Sequence, residues 1–244
     1  KNIDLREGDY GYVKLAQFQE GTSRELRKAL DELRDQADDG VLDGLVLDLR
    51  NNPGGLLDQA VSVSDAFLDA GLIVYTDGRV QTQSQRFCAS AESTEPAYPM
   101  VVLVNRGSAS ASEIVAGALQ DHNRAVVVGT TTFGKGSVQT IVPMPVEGGL
   151  KLTTSLYYSP SGKTIQARGV IPDIVIKSSK DTEKKSQRRR EKDLSGAIRA
   201  DGEETAQETA RMAARPQVPE QPSKAQPIRR AHGCGPPLST RPQA

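Results

Sequence analysis

The 244-residue sequence has no tryptophan, only two cysteines and only two histidines, and each shortage closes a route to function. Cys88 and Cys234 lie far apart, which leaves neither a disulfide framework nor a thiolate metal cluster to build on. No metal and no cofactor are expected. Of the two histidines, His232 falls in a polar tail, so His122 is the one realistic imidazole. No apolar run approaches the roughly 18 residues that span a bilayer. The chain starts "KNIDLREGD", with neither a Met nor a signal-like core. It reads as the interior of a longer precursor whose targeting signal lies elsewhere. Walker and dinucleotide fingerprints are also missing, so phosphate binding has no motif behind it.

Hydrophobic residues make up 36 % of the chain, low for a fully folded protein of this length. The net charge of +0 hides an uneven distribution, with acidic excess in the body and basic excess over residues 177–244. That tail contains no Phe, Tyr or Trp and is rich in Gln, Pro, Glu, Lys and Arg. Such a segment cannot bury enough apolar surface to offset its ordering entropy. The division is therefore a folded core over 1–176 and a charged, disordered tail over 177–244. The basic run Lys184, Lys185, Arg188, Arg189 and Arg190 comes without base-stacking aromatics, so nucleic acid is not an expected partner.

Within the core, "GYVKLAQF" alternates as a strand, and "GTSRELRKALDELRDQ" follows as an amphipathic helix with Thr22 or Ser23 as N-cap. "LDGLVLDLRNN" leads through "PGG" into the helix "LLDQAVSVSDAFLDA". "GLIVYTDGR" reads as a strand, "VQTQSQRFCASAESTEPAY" as a polar connection and "PMVVLVN" as a buried strand. A serine-rich turn, the helix "SEIVAGALQDHN" and the strand "AVVVGT" come next. This alternation predicts an α/β core with parallel strands. "GSVQTIVPMP", "GGLKLTTSLYYSP" and "GKTIQARG" read as antiparallel additions, and "GVIPDIVI" closes the core.

Three serines two apart, Ser108, Ser110 and Ser112, occupy the turn between strand and helix. Free backbone N–H groups and the positive end of the helix dipole stabilise an alkoxide there. The same residues also suit a plain helix cap, and local chemistry does not separate them. His122 lies 12 residues beyond Ser110 on the same helix, about 18 Å away at 1.5 Å per residue. That excludes His122 as partner to the serines at the helix start, so a Ser-His-Asp triad is not expected. The remaining base candidate is Lys135, between Gly134 and Gly136. A lysine accepts a proton only when its surroundings hold the amine neutral, a shift of roughly 3 units from about 10.4. Gly54 and Gly55 in "DLRNNPGGLL" permit positive φ and expose backbone N–H groups, the makings of an oxyanion hole or of a tight turn.

Taken in order, "DLRNNPGG", "VNRGSASASEI", "TFGKGSVQ" and "YYSPSGKTIQARGVIPDI" resemble the catalytic core of the C-terminal processing peptidases, or tail-specific proteases, over roughly Asp9 to Ile176. The resemblance implies a crotonase-like α/β core and a serine endopeptidase that cleaves proteins at or near an unstructured C-terminus. It implies Ser110 as nucleophile and Lys135, 25 residues on, as base. Gln139 would orient the lysine, on the same strand face because four is an even step. The oxyanion hole would come from the backbone of Ala111 and of Gly54 or Gly55; Asp121 matches an acidic position that matters in some members and equally suits a charged helix-end role. The family also implies a PDZ domain upstream in the full-length protein, homo-oligomerisation or an adaptor in some settings, and a location outside the cytoplasm: periplasm, cell envelope or plastid lumen. Two rival readings are a crotonase-like acyl-thioester enzyme and a non-catalytic peptide-binding or scaffold relative. Retention of both Ser110 and Lys135 argues against each.

Overall fold

Short runs of Val, Leu and Ile bounded by turn residues form the inner strands of a sheet, and stripes of Leu and Ala at helical spacing cover it. The computed structural model describes residues 3–6, 8–78, 84–144, 148–176, 190–195 and 197–198. In chain order it holds β1 (Ile3–Arg6), β2 (Tyr10–Lys14), α1 (Thr22–Gln36), β3 (Gly44–Asp48), α2 (Leu57–Asp65), β4 (Leu72–Gly78) and β5 (Gln85–Cys88). These are followed by β6 (Met100–Val104), α3 (Ala111–Asp121), β7 (Val126–Gly129), β8 (Ser137–Pro143), β9 (Gly149–Tyr158), β10 (Ile174–Val175) and a 3-10 turn at Glu191–Asp193.

The larger sheet runs β1-β2-β3-β6-β7-β10, with β2 to β10 parallel and β1 antiparallel at the edge. Spatial order follows chain order without reversal, so right-handed crossovers bring α1, α2 and α3 to one face. There α2 packs between α1 and α3. Leu30 of α1, Leu47 of β3, Val63 of α2, Val102 of β6, Val115 of α3 and Val127 of β7 have no solvent exposure. Each such side chain contributes about 1.5–3 kcal/mol by leaving water. The α/β core with parallel strands and antiparallel additions is thus present. The additions form a second sheet, β5-β4-β9-β8, antiparallel throughout.

Several local expectations need correction. Helix α1 is capped by Gly21 in the left-handed region rather than by Thr22 or Ser23. Thr22 Oγ1 instead accepts from the Gln19 N–H, and the Ser23 N–H donates to Gln59 Oε1. The "polar connection" contains β5, held by pairing with β4, which local pattern does not encode. "GKTIQARG" is not a strand beyond one bridge of Thr164 to Tyr158, because Ala167 and Gly169 take positive φ and turn the chain. Cys88 is disulfide-bonded, contrary to the reading that the cysteines make no such link.

The expectation of a disordered tail falls mostly outside the described residues, but part of it is ordered. Residues 190–195 and 197–198 dock on the core: the Glu191 N–H donates to Phe133 O, and Gln166 Nε2 donates to Glu191 Oε1 and Ile198 O. Gln166 has no solvent exposure, and its Oε1 accepts from the Gly136 N–H at 2.8 Å. One amide therefore ties the segment to the loop that carries Lys135. Replacing Gln166 with Leu strands the Gly136 donor and is expected to lower unfolding free energy by about 1–3 kcal/mol. Denaturant titration measures this, and an unchanged midpoint would count against the tie.

Candidate active site

Strands β3, β6 and β7 are parallel neighbours, so the loops leaving their C-terminal ends meet. Those loops are the Pro-Gly-Gly segment, the serine turn and the Lys135 segment. The first is braced at its root by Asp48, buried, which accepts from Tyr12 Oη and from Arg50 N, Nε and Nη2 at 2.7–2.9 Å. The first two loops are joined by the Asn51 N–H donating to Asn105 Oδ1 and by Asn105 Nδ2 donating to Asn51 Oδ1.

The three serines differ sharply in surroundings. Ser108 is fully buried, donates from Oγ to Leu49 O at 2.7 Å and accepts from the Asn105 N–H. Ser112 is equally buried and donates from Oγ to Asn52 O at 3.0 Å. Both hydroxyls fasten the turn to the strand β3 loop. Ser110 is only half-buried and caps α3 with φ 53 and ψ −113, a backbone region that non-glycine residues rarely occupy. Such strain costs on the order of 1–3 kcal/mol and persists where neighbours enforce it. It resembles the sharp strand-to-helix turn on which nucleophilic serines are exposed.

Glu113 enforces it. Its side chain has no solvent exposure, and its carboxylate is shared between two loops. Oε2 accepts from the Ser110 N–H at 2.8 Å and the Lys135 N–H at 2.9 Å; Oε1 accepts from the Gly134 N–H at 2.7 Å and from Thr132 Oγ1. Thr132 Oγ1 in turn accepts from the Val170 N–H. Burial pushes the Glu113 carboxyl up to about 7, and the donors from Thr132, Gly134, Ser110 and Lys135 oppose a larger rise. The serine and the lysine are thus held through their backbones by one oxygen. Among the described residues the Lys135 amine makes no hydrogen bond or ion pair, and no hydrogen bond joins it to Ser110.

The two glycines divide in role. The Gly54 N–H donates to Asn52 Oδ1 at 2.9 Å and is engaged. A Cβ on Gly54 would lie 2.6 Å from Ala109 O and 2.8 Å from Ser110 Cβ, so this position keeps the two loops in contact. Among the described residues, the N–H groups of Gly55 and of Ala111 donate to no protein atom. They are the donors open to an oxyanion.

The other candidates lie elsewhere or lose their argument. Asp121 ends α3, ten residues from Ala111, about 15 Å along the helix. It accepts from the Ser161 N–H, a structural role far from Ser110. His122 Nε2 bonds Leu72 O and takes no part in the site. Lys135 precedes β8, which begins at Ser137, so the even-step argument for Gln139, which needs both residues on one strand, does not apply. Gln139 is exposed. Among the described residues no group of three His, Cys, Asp or Glu is placed to hold a metal. Sequence reasoning missed Glu113, although Ser110-x-x-Glu113 has the spacing of a capping box. Nothing local pointed to Thr132 or Gln166.

Residues 9–176 match peptidase family S41. The chain is 56 % identical over 170 residues to a carboxy-terminal-processing protease of Bartonella bacilliformis, covering 70 % of this chain and 39 % of that protein. It is 43 % identical over 174 residues to a carboxyl-terminal-processing protease of Synechocystis sp., covering 71 % and 39 %. The solved photosystem II D1 C-terminal processing protease superposes with a TM-score of 0.62 at 39 % identity, over 72 % of this chain and 46 % of that one. The chain therefore spans about two fifths of the length of the curated relatives it matches.

Two outcomes test this geometry. Glycine tolerates the Ser110 backbone, so Ser110→Gly is expected to be more stable than Ser110→Ala by about 1 kcal/mol; equal midpoints in urea would mean the turn is unstrained. For Glu113 the folded-state value lies above the ordinary 4.5, so between those two pH values the folded protein keeps a proton that the unfolded chain has lost. Its contribution to stability therefore falls as pH rises from about 4.5 to 7, by up to about 3 kcal/mol. Thermal scans across this window should show that slope, and Glu113→Gln should flatten it.

Proposed function

Because this chain belongs to peptidase family S41, we propose that it is the core of a serine endopeptidase that cleaves proteins at or near an unstructured C-terminus, with Ser110 as nucleophile and Lys135 as general base. The observation that carries the reading is the contrast among the serines. Ser108 and Ser112 are buried and donate to backbone carbonyls, whereas Ser110 is accessible on a strained turn whose N–H shares an acceptor with the lysine loop. A neutral Lys135 amine takes the Ser110 proton once the substrate's arrival brings the two side chains together. The alkoxide attacks the scissile carbonyl, and the N–H groups of Ala111 and Gly55 hold the tetrahedral oxyanion. The leaving amine takes the proton from Lys135, an acyl-enzyme remains on Ser110, and water hydrolyses it with the lysine as base.

The α3 dipole favours negative charge at the same end of the helix, which supports an oxyanion beside Ala111. Gln139 as a partner of the lysine, a PDZ domain that presents the substrate C-terminus and a site of action outside the cytoplasm belong to the same proposal. An acyl-thioester enzyme would also use a glycine-flanked oxyanion hole, but it has no need of a serine and a lysine loop fixed to one carboxylate.

In the full-length protein, Ser110→Ala and Lys135→Ala are each expected to lower kcat for an unstructured protein substrate at least about 1,000-fold while circular dichroism stays unchanged. Proteolysis that survives in purified Ser110→Ala refutes the nucleophile assignment.

A further inference from the structure

We propose that the outer edge of β8 is the strand onto which an extended substrate polypeptide adds on its way to Ser110. This rests on reading the chain as a serine endopeptidase, and it names how that site holds its substrate.

β8 is the last strand of the β5-β4-β9-β8 sheet, so among the described residues one of its edges pairs with no strand. Which residues present that edge follows from the hairpin. The Met144 N–H donates to Gly148 O at 3.2 Å, and the register then pairs Pro143 with Gly149, Val142 with Leu150, Ile141 with Lys151 and Thr140 with Leu152. Hydrogen-bonded and non-hydrogen-bonded pairs alternate along an antiparallel ladder. Thr140 and Val142 therefore aim their N–H and C=O at β9, while Ile141 and Pro143 aim theirs outward. Proline at 143 agrees with this: a ring that lacks an N–H is tolerated where no ladder bond is needed. The outward row thus offers the Ile141 N–H as donor and the Ile141 and Pro143 carbonyls as acceptors.

Such an edge binds backbone, and an extended polypeptide supplies it. β8 begins at Ser137, two residues after Lys135. A strand paired with it is led directly to the lysine loop. The ribbon also offers apolar contacts, since Val142, Leu150 and Leu152 share one face and are 42 %, 47 % and 44 % exposed. A substrate side chain next to Val142 would extend that row. A second copy pairing edge to edge is a poorer occupant, because the extra residue Thr154 in β9, opposite Val138 and Gln139, increases the local twist of the β8-β9 pair that a flat, rigid partner would have to follow.

The experiment uses the full-length protein with casein as an unstructured substrate and a fluorophosphonate as a probe of the serine. Ile141→Pro removes the outward N–H without removing a ladder bond, and Ile141 is 70 % exposed, so the core is not disturbed. The KM for casein is expected to rise roughly three- to tenfold, the loss of one backbone hydrogen bond. kcat and fluorophosphonate labelling of Ser110 should stay as in the wild type, and Ile141→Ala, which keeps the N–H, should leave KM near its wild-type value. An N-methyl scan of a casein-derived peptide gives a second readout with the protein intact: methylation at the paired amides should weaken competition at least threefold. An unchanged KM in Ile141→Pro with labelling intact overturns the docking edge alone. So does an equal effect of Ile141→Ala, or a change in sedimentation coefficient without a change in KM, which would assign the edge to a second copy. A wild-type protein in which Ser110 is not labelled overturns the serine reading itself and the docking edge with it.

Discussion

The Glu113 carboxylate receives N–H groups from Ser110, Gly134 and Lys135 and the hydroxyl of Thr132, donors that lie on two loops separated by about twenty residues. Taking a carboxylate wholly out of water is unfavourable unless its lone pairs are filled. Here they are filled by main-chain groups of the serine turn and the lysine loop and by one hydroxyl. The burial that raises its proton affinity also makes each donor hard to replace, because no water stands ready to take its place. The strained Ser110 backbone and the glycine-flanked lysine loop are thereby held against each other through main-chain atoms, and neither side chain is used in that link.

That arrangement depends on topology. Adjacent parallel strands β3, β6 and β7 deliver three loops to one end of the sheet, and small residues let them touch. Gly54 fits against Ala109 and Ser110 with no room for a Cβ, Asn52 receives Ala109 and Ser112 on its carbonyl, and Ser108 reaches Leu49. Beyond the lysine, Gln166 links Gly136 to Glu191 and Ile198, which lie outside the region that matches the family. From this rigid end the chain runs into β8, the exposed edge that leads away from the lysine loop.

Much of this was legible in the amino-acid sequence, and the parts that were not share a cause. The buried strands and amphipathic helices announced themselves by local pattern, and four ordered motifs placed Ser110, Lys135 and the glycines. What stayed hidden were partners chosen by tertiary contact. β5 is held by its pairing with β4, and Glu191 and Ile198 are held by bonds to Gln166 and Phe133. Glu113 looked like an acidic residue in a helix's first turn, since no local signal says that its carboxylate reaches across to Thr132 and Lys135. At Gln139 the period-two argument assumed one strand running on from Lys135, whereas β8 begins at Ser137. For Asp121 the resemblance left a supporting role and a helix-end role open, and its carboxylate accepts from the Ser161 N–H at the end of α3.

The central claim is that Ser110 carries the covalent intermediate. Mass spectrometry of the intact full-length protein, acid-quenched during turnover of an activated ester substrate, tests it directly. The account predicts one acyl group per chain, mapped by digestion to the peptide that contains Ser110, and its loss in Lys135→Ala. An acyl group on any other residue, or turnover with no covalent species at any quench time, would contradict it.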